Sequence, residues 1–155
     1  MGVPDTAVRL SYGRDPPSSS VPYPVSYYPN SSSPSKAATL RVRVGEQRTG
    51  VVFRLPPPPR IGRVAVRVLA PDGSVVKEAF VNAVLDDVYT EFAKTGAKGT
   101  AELLCLEGLR YELEAHLFPT GDTSGPSVIK SRPVPMLCGK DSGPLTLTLD
   151  HLERF

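Results

Sequence analysis

The chain has 155 residues, 40% hydrophobic and 7% aromatic with no tryptophan, and a formal charge of +2. That length holds one ordinary domain plus a sizeable appendage, with enough valine and leucine for a core. The small, dispersed charge argues against nucleic acid as a partner, and no apolar run approaches the roughly 20 residues that insert across a bilayer.

Residues 1–36 are Pro- and Ser-rich (PPSSSVPYPVSYYPNSSSPS), a composition that does not order itself by burying apolar surface. Tyr23, Tyr27 and Tyr28 interrupt it. Two readings stand: a segment lying extended on a folded surface with its tyrosines docked, or a disordered lead-in. No apolar signal core is present, so the chain reads as a cytosolic protein or as a piece of a longer exported one. The seventeen prolines, gathered in linker-like stretches, favour the second.

Residues 37–55 are expected to form a β-hairpin. Leu40, Val42 and Val44 share one face and Arg41 and Arg43 the other, Gly45 and Glu46 turn the chain, and Val51, Phe53 and Leu55 line the return strand. An isolated two-stranded unit cannot hide such a face, so docking on the following domain, extension of its sheet, or a strand-paired dimer is expected. The prolines at 56–59 cannot donate to a ladder and make residues 56–60 a stiff polyproline linker.

Residues 61–150 alternate apolar and polar. Val64, Val66 and Val68 point inward, Asp72 and Gly73 turn, and residues 79–85 run back. Residues 86–95 read as a strand or one helical turn. Leu103 and Cys105 face inward on the next strand, then Tyr111, Leu113, Ala115 and Leu117, with Glu112, Glu114 and His116 opposite. After a loop at 119–126, Leu145, Leu147 and Leu149 close the domain, and residues 151–155 form a tail. One open sheet would leave a long apolar face in water. The expected fold is therefore all-β, an antiparallel Greek-key β-sandwich of about seven strands.

The stretch GRVAVRVLAPDGSVVKEAFVNAVL followed by TGAKGTAELLCLEGLRYELEA resembles the carboxypeptidase regulatory-like domains, transthyretin-like β-sandwiches of bacterial exported proteins. Gly62, Asp72 and Gly73, Ala79 to Val81, Thr95 with Gly99, and Gly108 with Tyr111 carry the resemblance. The stretch YPVSYYPNSSSPSKAATLRVRVGEQRTGVVFRL resembles the tail of a preceding copy. Three positions depart from the pattern: Gly96 stands where the family has aspartate, one extra residue separates Gly108 from Tyr111, and Asn30 replaces a glycine. The resemblance implies a periplasmic, outer-membrane-associated or extracellular setting.

Candidate chemistry is sparse. Cys105 and Cys138 form one disulfide in an exported chain, or two small buried hydrophobes in the cytosol. Glu112, Glu114 and His116 on one strand face are weak metal-ligand candidates; a solvated sheet face gives the same pattern. Asp86 and Asp87 lack the spaced oxygens of a calcium loop and mark a turn. Gly121 to Pro126 is a polar loop rather than a protease nucleophile loop, because Thr123 would occupy the nucleophile position. No cofactor is expected. Tyr23, Tyr27, Tyr28, Tyr89 and Phe92 are the candidate stacking residues of a binding surface. The leading functional expectation is a non-catalytic accessory or interaction module whose partners are other domains of the same polypeptide or a cell-surface protein. The alternative is a carbohydrate- or peptide-binding module, and the third a metal-dependent hydrolase.

Overall fold

The computed structural model describes residues 6–119, 127–139 and 144–154. The chain divides into two compact units, residues 1–58 and 59–155.

Among the described residues of the first unit, four short strands form two small sheets: β1 (Thr6–Val8), β2 (Ser11–Tyr12), β3 (Ser26–Tyr27) and β4 (Leu40–Val42). β2 pairs with β3, and β4 pairs antiparallel with β1, Leu40 opposite Val8. This corrects the expected hairpin. The turn forms, with the Glu46 N–H donating to the Arg43 carbonyl at 3.0 Å. Residues 51–55 keep their alternating burial but join no strand. The partner of Leu40–Val42 is a segment more than thirty residues earlier, which alternation alone cannot reveal. Within residues 6–36, Tyr23, Tyr27 and Tyr28 are half-buried, and the Tyr12 and Tyr23 rings meet edge-on at 5.7 Å.

The second unit holds β5 (Ile61–Leu69), β6 (Phe80–Leu85), β7 (Val88–Lys94), β8 (Thr100–Leu106), β9 (Arg110–Leu117), β10 (Ser127–Ser131), β11 (Val134–Leu137) and β12 (Leu145–Arg154). They follow one path, β7-β6-β9-β10-β12-β5-β8, with β11 added to β9. β12 is the corner. Its first half runs parallel to β5, Leu145 opposite Val66, and its second half antiparallel to β10, Leu152 opposite Ile129. A register shift at Lys130 and Ser131 marks the bend, as bulges do where a strand changes sheets. The sheet folds over on itself, and Val66, Val68, Val81, Leu103, Leu113 and Leu147 become fully buried between its two halves. Each such side chain contributes on the order of 1.5–3 kcal/mol.

The strand alternative for residues 86–95 holds, and three other features differ from expectation. Residues 86–95 are a two-residue turn and a strand; Asp86 and Asp87 have φ of 50° and 61°, the left-handed pair that a type I′ hairpin turn requires. Strands β10 and β11 were not expected. Pro135 is accommodated because, among the described residues, β11 pairs with β9 alone and its other edge carries no strand. Residues 151–154 belong to β12 rather than to a tail, and the β5–β12 pairing is parallel where an all-antiparallel fold was expected.

Polar locks fix the loops. The Ser74 N–H and hydroxyl both donate to Asp72 Oδ1, at 2.9 and 2.6 Å, which holds that carboxyl below its usual range. The buried Tyr111 hydroxyl accepts the Leu106 N–H at 3.0 Å, and burial pushes the phenol up. Cys105 and Cys138, both in the core, are disulfide-bonded with Cα atoms 6.0 Å apart.

Candidate functional site

Strand alternation sends Val81 and Ala83 of β6 and Tyr111, Leu113 and Ala115 of β9 into the core. Phe80, Asn82 and Val84, with Glu112, Glu114 and His116, therefore form the outer face. The register aligns them in rows. Lys94, Phe80, His116, Lys130 and His151 follow one another across β7, β6, β9, β10 and β12. Phe92, Asn82 and Glu114 form the next row, and Tyr89, Val84 and Glu112 the third.

A bulge decides which side chains of β7 share this face. Ala83 is opposite Glu91, but Val84 is opposite Tyr89, so Thr90 is the extra residue. Its hydroxyl donates to the Ala83 carbonyl at 3.1 Å. Without that insertion Tyr89 and Phe92, three residues apart, would point to opposite faces. With it both stand on the outer face, 57% and 75% exposed. Phe118, also exposed, packs edge-on against Phe80 with centroids 6.1 Å apart.

Beneath these rings lies a polar cluster. Glu114 and His116 keep 16% and 12% of their side-chain surface. Glu114 Oε1 and His116 Nε2 are 3.1 Å apart, yet neither has an aligned hydrogen bond. Their attraction is thus that of charges rather than of a directed bond, and it requires a protonated imidazole. Asn82 Nδ2 is 3.4 Å from His116 Nδ1, and the Tyr89 ring meets the imidazole edge-on at 6.3 Å. The Tyr89 hydroxyl is hydrogen-bonded to the Glu114 carboxylate, which pushes the phenol up to about 12. A carboxylate, an imidazole, an amide and a phenol under exposed rings can hydrogen-bond and stack a polar ligand.

The sequence candidates fall as follows. Tyr23, Tyr27 and Tyr28 belong to the first unit, Tyr28 against Phe53 at 6.4 Å, while Tyr89 and Phe92 belong to the second. Glu112, Glu114 and His116 do share one strand face, but positions four apart on a strand are separated by roughly 13 Å, too far for one ion. Among the described residues no three His, Cys, Asp or Glu side chains converge to hold a metal. Asp86 and Asp87 occupy the hairpin turn and border a shallow cleft with Arg110 and Glu112. His151 and Glu153, expected in an unpartnered tail, lie on β12; Glu153 is ion-paired with Lys130, which holds its carboxyl below the usual range. The loop at 121–126 lies outside the described residues. Sequence reasoning missed Asn82, Phe80, Lys130 and Phe118. The alternation of β6 carried a signal for the first two.

No family model matches the chain, and no curated protein or solved structure matches it.

Proposed function

We propose that the chain is a non-catalytic β-sandwich module that acts by contact, through the outer face of β7, β6 and β9, as part of a larger exported or cell-surface protein. The observation that carries this reading is the placement of Tyr89, Phe92 and Phe118 on one face, each more than half exposed. Clustered exposed aromatics mark interaction surfaces, where rigid rings contribute area at little entropic cost. The resemblance to carboxypeptidase regulatory-like domains supports the accessory role. The disulfide between Cys105 and Cys138 supports an oxidising compartment, since such bonds are rare in the cytosol.

Purified chain assayed on peptide, ester and glycoside substrates is expected to show no turnover above buffer. Hydrolysis that survives repurification and is lost in His116→Ala would overturn this reading in favour of a hydrolase. A second reading is favoured by the half-buried pair of Glu114 and His116 beside exposed rings: binding of a neutral carbohydrate. Calorimetry with neutral oligosaccharides tests it, with heat of binding expected for the native chain and none for Phe92→Ala.

A further inference from the structure

β7 ends the sheet; β8 comes close to its Lys94 end, where the turn at Gly96–Gly99 joins the two strands, but among the described residues no strand forms a ladder with the outer edge of β7. Such an edge, with Val88, Tyr89 and Phe92 exposed, is a template for another strand. From these observations, and resting on the contact reading of this face, we propose that the partner is a second copy of the chain, joined by antiparallel pairing of β7 with β7 about a two-fold axis.

The sequence of the edge, Asp87-Val-Tyr-Thr-Glu-Phe-Ala-Lys94, is complementary to itself. With the axis between Thr90 and Glu91, Asp87 stands opposite the partner's Lys94, Val88 opposite the partner's Ala93, and Tyr89 opposite the partner's Phe92. Every pair then occurs twice, as an isologous interface demands. Opposite charges meet at both ends, and aromatic pairs lie between them.

The bulge makes this register geometrically consistent. Residues directly opposite in an antiparallel ladder must share a face. Tyr89 and Phe92 differ in parity and would not match in a regular strand, but the extra Thr90 puts both on the outer face. A bulge ordinarily protects an edge by spoiling its ladder. A copy carrying the same bulge at the same place is the one strand whose pattern fits.

The backbone points the same way. In a two-residue hairpin the flanking pair, here Leu85 and Val88, bond to each other, so alternation turns the N–H and C=O of Tyr89 outward. At the other end the Thr95 N–H donates to the Ala79 carbonyl at 2.9 Å, which turns those of Lys94 and Phe92 outward. Lys94 is ion-paired with Glu78 and lies over the Phe80 ring at 5.4 Å. Both contacts are at the surface, and the ammonium has donors enough to add a carboxylate.

The test is sedimentation velocity on the full chain from low micromolar to millimolar concentration. A reversible monomer–dimer equilibrium is expected within this range, weak as small interfaces are. Phe92→Ala, a surface change, should weaken it at least roughly tenfold, the loss of an aromatic anchor. Asp87→Lys and Lys94→Asp should each weaken it, and the double reversal should restore it, which a merely structural effect would not do. A monomer at every concentration, or a dimer indifferent to all of these changes, would overturn the proposal. A monomer without hydrolytic activity removes the dimer and leaves the contact reading standing, whereas hydrolysis removes the contact reading itself.

Discussion

Gly62 lies directly against Cys138: a β-carbon at position 62 would stand 2.9 Å from the Cys138 sulfur and 3.5 Å from that of Cys105. Gly62 is also the register partner of Cys105 across β5 and β8. The disulfide thus occupies the space a side chain would need. Gly62→Val should destabilise the second unit by about 1–3 kcal/mol, the range of overpacked cores. The cost should shrink when Cys105 and Cys138 are both serine, because the smaller hydroxyls are not bonded to each other and leave room beside position 62. Thermal melts of the four proteins check this. Breaking the bond alone should cost on the order of 3 kcal/mol, since it closes a loop of 33 residues.

Thr95 ties the loop before β6 to the end of β7. Its buried hydroxyl accepts the Ala79 N–H at 3.0 Å and donates to the Val76 carbonyl at 2.8 Å. Thr95→Val keeps the volume but orphans both partners. A loss of about 2–3 kcal/mol in chemical denaturation is expected, more than for an average hydrogen bond.

The turn between β6 and β7 works in the other direction. Asp86 and Asp87 both hold positive φ, which asparagine and glycine adopt with less strain. The double change Asp86→Asn with Asp87→Gly should raise stability by roughly 1 kcal/mol, seen as a higher melting temperature. The same variant removes a charge from the end of β7 and should weaken self-association.

Tyr89 gives a pH prediction. Its phenol is held up at about 12 first by the hydrogen bond to Glu114, then by desolvation and the Glu114 charge. A folded-state value above the unfolded one means the contribution is fully present below the unfolded pKa, about 10. It is lost as pH rises through about 12. Ultraviolet titration should show late-ionising tyrosines, Tyr111 among them, of which one disappears in Tyr89→Phe and moves earlier in Glu114→Gln.

Much of the second unit was legible because β5, β6, β8 and β9 alternate cleanly between glycine-marked turns. Direction was not. Alternation reports which face is buried, not whether Leu145 and Val66 lie in parallel or antiparallel strands. Nor does it report sequence-distant pairing, so β4 was assigned to its neighbour at Val51 rather than to β1. Strands β10 and β11 went unread; the rule that excludes proline applies to central strands, so Pro135 is no bar to β11. Of the site, Tyr89 and Phe92 were visible as aromatics. Their shared face was not, since it depends on a bulge at Thr90 that no residue type announces. Asn82 went unnoticed because a lone amide on a strand has no spacing signal.

The claim that the chain acts through the outer face of β7, β6 and β9 is tested most directly by amide resonances of the full chain. Spectra are recorded first by dilution from millimolar concentration and then with neutral oligosaccharides added. Perturbations in either series are predicted to map to Tyr89, Phe92 and Lys94 with Asn82, Glu114 and His116. Spectra unchanged in both, or shifts confined to the opposite outer face around Arg63 and Glu102, would contradict it.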